Sequence, residues 1–158
     1  MSQDGTESDP GPDRARTVGV NHVALEVGGI EAALEFYGWV FEVELRGRSE
    51  AMAFLDIGDQ FLALSADAGE GVDEHRHFGL VVDDPDLVRA RLAETDAEVL
   101  PTSGLDFRDP WGNRVQVVAY EDVQFTKADH VLAGMGLPGL EKTESAIEEL
   151  AEKGMAPD

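Results

Sequence analysis

The sequence contains no cysteine among its 158 residues. A disulfide framework, a thiolate metal site and a cysteine nucleophile are therefore excluded. Lysine is also scarce, since it occurs only at Lys127, Lys142 and Lys153 and the other basic residues are arginines. Any metal bound by this chain must use histidine, carboxylate or amide ligands.

The sequence also lacks the usual signals for membranes and secretion. Its amino terminus has neither a basic start nor an apolar run, and no stretch approaches the roughly 20 apolar residues of a membrane span. It carries no phosphate loop, nucleophile elbow or dinucleotide fingerprint. We therefore expect a soluble, cytoplasmic protein that does not bind membranes.

Positive charge is in short supply, because 33 acidic residues face 12 basic ones and the formal net charge is -21. Such a surface repels phosphate, which argues against nucleic acid and anionic membranes as partners. The acidic residues are spread through segments with apolar periodicity, and this indicates a folded acidic surface rather than an acidic tail. Together with the lysine depletion, the composition resembles that of proteins from halophilic organisms.

Changes in composition divide the chain into three parts. Residues 1–16 are rich in Ser, Asp, Gly and Pro, and they are predicted to be a disordered lead because they can bury too little apolar surface. Residues 17–120 show strand and helix periodicity and are predicted to form one domain. Residues 121–158 have a different pattern and are predicted to be a helical extension.

Within the domain the same order of elements, βαβββ, is predicted twice, in residues 17–66 and 75–120. The first copy is predicted to begin with a strand from Thr17 to Val27, followed by a helix over Ile30–Val40. One side of this helix is predicted to carry Ile30, Leu34, Tyr37 and Phe41. Three strands are predicted to follow at Phe41–Arg48, Ala51–Ile57 and Gln60–Ser65, with Gly58 and Asp59 as the hairpin turn between the last two. The second copy is predicted to begin with a strand over His75–Val82. A helix over Pro85–Asp96 follows, capped by Asp84 and with Leu87, Arg91 and Leu92 on one face. The last three strands are predicted at Glu98–Thr102, Leu105–Arg108 and Asn113–Tyr120. The fold class is therefore α+β, with two modules forming a curled mixed sheet around a cavity.

Two helices are predicted in the extension. Thr126 is expected to cap a short helix that reaches about Met135. A final helix over Glu141–Lys153 has a narrow apolar stripe of Ile147, Leu150 and Ala151, which is expected to lie on the domain's own surface.

Four segments resemble the vicinal oxygen chelate superfamily, which includes glyoxalase I, extradiol dioxygenases and the fosfomycin and bleomycin resistance proteins. They are NHVAL at the first strand, the FY pair at Phe36–Tyr37, RHFGLVVDD at the fifth strand and DPWGNRVQV at the last. The resemblance implies that each βαβββ module supplies half of a cavity. It also implies one divalent metal, bound by side chains on the first and fourth strands of each module.

Carried onto this sequence, the resemblance implies a metal site formed by His22, His77 and Gln116. His22 and His77 occupy the first-strand positions, and Ala63 and Gln116 the fourth-strand positions. Alanine cannot bind a metal, and the amide of Gln116 is a weaker, uncharged donor where a carboxylate would be expected, although glutamine is a ligand in some glyoxalases. The implied cofactor is Fe, Mn, Ni, Co or Zn.

The same residues allow other interpretations. Histidines on half-buried strands are often structural residues that are satisfied by hydrogen bonds, and this interpretation stays open for His22 and His77. Most aromatic residues on strands belong to the core, which we expect for Phe54 and Phe61. The arginines available to hold an anionic ligand are Arg46, Arg108 and Arg114.

Two functions follow as hypotheses. The first is a metal-dependent lyase, isomerase or dioxygenase that acts on a small oxygen-rich substrate, with Glu26 or Tyr120 as the acid-base group. The alternative is a metal-free protein of the bleomycin-resistance type that binds a small molecule in the same cavity. In both cases we expect a homodimer.

Overall fold

The computed structural model describes residues 20, 22–58, 60–69 and 71–157, and the lead predicted at 1–16 and the turn residue Asp59 lie outside this part. The first module consists of β1 (His22–Glu26), α1 (Ile30–Val40), β2 (Glu44–Arg48), β3 (Met52–Ile57) and β4 (Gln60–Ser65). The second consists of β5 (Phe78–Val82), α2 (Pro85–Leu92), β6 (Glu98–Val99), β7 (Leu105–Arg108) and β8 (Arg114–Ala119). The extension contains a 3-10 turn (Tyr120–Asp122), α3 (Asp129–Gly134) and α4 (Glu144–Glu152).

Each module forms its own mixed four-stranded sheet, with the strand orders β1-β4-β3-β2 and β5-β8-β7-β6. The central pairs β1–β4 and β5–β8 are parallel, and the other pairs are antiparallel. The predicted α+β class and the duplicated βαβββ order are confirmed. β1 and β5 are edge strands, so each leaves one row of backbone groups outside its sheet.

Alternation along the strands gives each sheet two different faces. In β1, Leu25 is buried while His22, Ala24 and Glu26 are exposed, as the period-2 pattern predicts. In β8, Val115 and Val117 are buried. We call the face that carries Leu25, Val115 and Val117 the inner face, and the opposite one the outer face.

The inner faces of both sheets share one hydrophobic core with α1 and α2 between them. The rings of Phe36 in α1 and of Phe41, the residue that follows α1, lie 6.2 and 6.3 Å from the ring of Phe107 on β7. Arg91 of α2 covers the ring of Trp39 of α1 at 3.6 Å. Because the inner faces meet at the helices, the outer faces of the two sheets point away from this shared core.

A buried hydrogen-bond cluster joins the two modules. The Tyr37 hydroxyl donates to the Asp109 carboxylate at 2.7 Å. The same carboxylate accepts bonds from the backbone N–H groups of Trp111 and Asn113, both at 2.9 Å, and from the Asn113 amide at 2.8 Å. Burial and the neighbouring Asp109 raise the pKa of Tyr37 well above its ordinary value of 10.0. The turn Asp109–Asn113 is therefore fixed to α1 as well as to its own strands.

Several predicted boundaries and faces were wrong. α2 ends at Leu92 rather than Asp96, because the Thr95 hydroxyl donates to the Leu92 carbonyl at 2.8 Å and closes the last turn. The buried face of α1 runs through Ile30, Ala33, Phe36, Tyr37 and Val40 rather than through Leu34 and Phe41. In α2 the buried residues are Val88 and Leu92, and Leu87 is exposed.

The strand predictions were accurate at β4 and β7 and too long at the other strands, and residues 17–19 and 21 of the first predicted strand lie outside the described part of the chain. β5 begins at Phe78, so His75 and His77 precede it instead of lying within it. β6 covers only Glu98–Val99, and Tyr120 begins a 3-10 turn after β8.

The extension also differs from its prediction. Thr126 does not cap α3, because its hydroxyl lies 3.1 Å from that of Tyr120, and α3 begins at Asp129. Thr143 caps α4 instead, accepting a bond from the Ala146 N–H at 3.2 Å. α4 buries Ala146 and Leu150, while Ala151 is exposed. In the part of the chain that the structure describes, no helix is both long and apolar enough to cross a membrane.

Candidate functional site

A cavity of about 360 Å³ lies between the edge strands β1 and β5 and is closed on one side by the extension. Its wall is mostly aliphatic and aromatic. The polar side chains on the wall include His22, Gln60, Asp83, Tyr120 and Lys127. Its size is at the lower end of the range of about 300–1,000 Å³ that is common for small-molecule sites.

His22 is the predicted metal ligand that lines this cavity. Its ring stacks on Phe61 of β4, with the ring centroids 4.6 Å apart and the planes inclined by 10°. Phe61 also contacts Phe54 edge-on at 6.0 Å, and the Arg46 guanidinium lies 4.5 Å from its centroid. The expectation that Phe61 is a core residue was wrong, because it lies on the outer face and forms part of the cavity wall.

The other two predicted ligands lie away from the wall of this cavity. His77 is exposed just before β5, and its Nδ1 donates to the His75 carbonyl at 2.8 Å. Gln116 is half-buried on β8, between Gly79 of β5 and Asp106 of β7. Within the described ranges, no group of three His, Asp or Glu side chains is placed to hold a metal ion.

The strand registers show that the two modules place these residues equivalently. Ala24 follows His22 by two residues and pairs with Ala63 of β4. Gly79 follows His77 by two residues and pairs with Gln116 of β8. His22 therefore corresponds to His77, and Ala63 to Gln116, as the resemblance implied.

The two candidate acid-base residues lie at different places. Glu26 lines a polar depression of about 170 Å³ near Arg76, Trp111 and Asn113, and its carbonyl accepts a bond from the Asn113 amide at 2.8 Å. Glu26 lies four positions after His22, which is about 13 Å along an extended strand. Tyr120 lies on the wall of the large cavity.

The hydroxyl of Tyr120 contacts residues of the extension. It accepts a bond from the Lys127 backbone N–H at 3.2 Å and lies 3.1 Å from the Thr126 hydroxyl. The Lys142 ammonium lies 3.6 Å from the centre of its ring.

The three arginines proposed as anion ligands are each paired with a carboxylate. Arg46 contacts Asp56 at 2.9 Å, and Arg108 contacts Glu98 at 2.9 Å. Arg114 contacts the buried Asp106 at 2.9 Å. These bonds fix the outer face of each sheet and leave less positive charge for an anionic ligand than the sequence suggested.

Lys142 organises the turn that carries Tyr120. Its ammonium donates to the carbonyls of Tyr120 at 2.6 Å and Val123 at 2.7 Å, and also to that of Phe125. Removal from water lowers the pKa of Lys142. Sequence reasoning missed this lysine and the cavity wall that it supports, although the lysine depletion of the chain marks each remaining lysine as unusual.

A profile of the Glyoxalase/Bleomycin resistance protein/Dioxygenase superfamily matches residues 19–117. The chain belongs to this superfamily. The match ends within β8, so residues 121–157 of the extension lie outside it.

Individual relatives agree with this assignment. The chain is similar to metallothiol transferase FosB of Shouchella clausii, with 30% identity over 114 residues, which cover 63% of this chain and 78% of the relative. Its fold is similar to that of the fosfomycin resistance protein FosX from Mesorhizobium loti (17% identity, TM-score 0.56, covering 65% of this chain and 92% of the relative). It is also similar to that of lactoylglutathione lyase from Agrobacterium tumefaciens (23% identity, TM-score 0.54, covering 66% and 96%).

Proposed function

We propose that this member of the superfamily is a divalent-metal-dependent enzyme that acts on a small oxygen-rich substrate, with His22, His77 and Gln116 as metal ligands. The main support is the equivalence of the strand registers, which gives each module a histidine at the same position. The relative named a metallothiol transferase supports metal dependence. The metal is one of Fe, Mn, Ni, Co or Zn, and its chemistry would be that of a Lewis acid and template for vicinal oxygens.

The donor set fits such an ion. When the His77 ring is neutral, the bond from Nδ1 to a backbone carbonyl leaves the lone pair on Nε2, and such a bond is typical of metal-binding histidines. The Gln116 amide is uncharged, so the site keeps the full positive charge of the ion for an anionic substrate oxygen. Glu26 is our candidate for proton transfer at a substrate that extends along the outer face of β1.

We propose further that the site is completed between two chains of a homodimer. His22 lies on the outer face of the first sheet and Gln116 on that of the second, and both outer faces point away from the shared core. A two-fold arrangement can place the first module of one chain beside the second module of its partner, and it does so twice.

Elemental analysis of protein purified without chelator tests the metal. We expect near-stoichiometric metal in the wild type and its loss in the double variant His22→Ala, His77→Ala. His130→Ala, on the exposed surface of α3, is the matched control and should keep the metal. Absence of metal under every reconstitution condition would contradict the proposal and favour the alternative, a metal-free binding protein of the bleomycin-resistance type.

Mixing variants tests the shared site. His22→Ala and His77→Ala chains, unfolded and refolded together in equal amounts, should regain about a quarter of the wild-type metal sites, because half of the dimers are mixed and each has one intact site. Each variant refolded alone should regain none. If the mixture stays as empty as the single variants while wild-type protein refolds with metal, the ligands come from one chain.

A further inference from the structure

We infer that the C-terminal extension converts the gap between β1 and β5 into a binding site for an uncharged, largely apolar small molecule. The extension lies outside the residues that match the superfamily. The cavity shares His22 with the proposed metal site, while His77 and Gln116 are not part of its wall, and binding of the inferred ligand requires no metal.

Hydrogen bonds within the extension hold one wall of the cavity in place. Lys142 donates to three carbonyls of the segment that carries Tyr120 and Phe125, and the Thr143 N–H donates to the Glu121 carbonyl at 2.8 Å. Two of the cavity-lining residues, Tyr120 and Phe125, are thereby fixed before any ligand arrives. A pre-formed wall lowers the entropy cost of binding.

The extension also packs on the first module, at the turn between β3 and β4. Met135 packs on the turn between β3 and β4 at Gly58, where a Cβ atom would lie 2.6 Å from its sulfur. Gly58 has a φ of 69°, which favours glycine. The extension is therefore anchored to the first module here and to the end of β8 at its start, so it spans the two modules.

The polar groups on the cavity wall determine which ligand chemistry the cavity favours. The Gln60 amide donates to the Val20 carbonyl at 3.0 Å, and the Tyr120 hydroxyl has partners within the extension. The His22 ring stacks on Phe61 with the centroids 4.6 Å apart, and Lys127 also has an interaction partner. Polar groups that are already bonded offer little to a polar ligand, and moving a charge into an apolar cavity is costly.

The charge of the protein also favours a neutral ligand. Asp83 and Lys127 both line the cavity and offset each other, and the net charge of -21 on the chain opposes the approach of an anion. Aromatic rings are provided by Phe61, Phe78 and Phe125. The favoured ligand is a neutral molecule with an aromatic or aliphatic body that gains free energy by leaving water and by contact with these rings.

The test uses the neutral fluorescent probe N-phenyl-1-naphthylamine with the full-length protein in the presence of a chelator. We expect saturable binding to the wild type. Leu137→Trp fills the cavity and should weaken binding at least about tenfold, which is 1.4 kcal/mol. Ala133→Trp places the same side chain on the exposed side of α3 and should leave the affinity unchanged.

Two further measurements make the result decisive. NMR cross-peaks between the probe and the methyl groups of Leu132 and Leu140 should be present. If Leu137→Trp does not fold, Val81→Phe takes its place, because it narrows the cavity from the β5 side and should likewise weaken binding of the probe. No saturable binding to the wild type, or equal affinity of wild type and the filling variants, would overturn the inference. Binding that falls as protein concentration rises would also overturn it, because a second copy of the chain would then occupy the cavity.

Discussion

At the scale of single residues, the buried carboxylate of Asp109 accepts four hydrogen bonds within the part of the chain that the structure describes. Its four donors come from Tyr37 on one module and from the turn that precedes β8 on the other. The sequence shows a tight turn at this place and no sign of its partner, because Tyr37 is 72 positions away along the chain. Contacts of this kind are set by tertiary packing and not by local pattern.

Tyr37→Phe tests this bond. Loss of a hydrogen bond to a charged acceptor should lower the free energy of unfolding by about 1.5–3 kcal/mol. Because the folded pKa of Tyr37 is raised above its value in the unfolded chain, the wild type keeps this stability below pH 10 and loses it as pH rises toward the folded pKa. Urea unfolding between pH 7 and pH 11 should show a steeper fall for the wild type than for Tyr37→Phe, and parallel curves would contradict the assignment.

At the scale of elements, the strands and the first helix could be predicted because one face of each is buried. α1 was predicted at its observed bounds, and β4 and β7 likewise. The errors occur where side-chain bonds override periodicity, as at Thr95 after α2 and Thr126 before α3. The candidate ligands could be placed on strands, but no sequence pattern revealed that only His22 lies on the cavity wall.

Lys142→Met tests the element that sequence reasoning missed. Removing the ammonium leaves three carbonyls without their donor, so the segment from Tyr120 to Lys127 should open and the free energy of unfolding should fall by about 1–3 kcal/mol. Hydrogen exchange of the backbone amides in this segment should accelerate. Lys153→Met, at the exposed end of α4, is the matched control and should change neither quantity. Unchanged exchange in Lys142→Met would show that the bonds do not hold the turn.

At the scale of the whole molecule, the dominant feature is the net charge of -21 on 158 residues. Five ion pairs among the described residues join arginines to carboxylates, and most of the acidic residues have no such partner there. Repulsion between the remaining carboxylates opposes the compact state. We propose that the protein is adapted to high salt.

Thermal unfolding in KCl at neutral pH tests this proposal. Raising the salt from about 0.1 M to 1 M shortens the screening length from about 10 Å to about 3 Å, so the melting temperature should rise. It should rise further at 3 M if hydrated cations associate with the carboxylates. A melting temperature that stays flat or falls over this series would remove the argument for adaptation to salt.

The equivalence of Ala63 and Gln116 also bears on how such a chain can change over evolution. Both positions lie on the outer face of a sheet, whereas the packing that holds the fold together lies on the inner face. Gene duplication followed by divergence can therefore alter the ligand set of one module without disturbing the hydrophobic core of either. A laboratory selection that randomises only positions 63 and 116 would sample metal-free, weakly metallated and fully metallated descendants of one ancestor, with position 63 restricted to side chains that fit where Ala63 is buried.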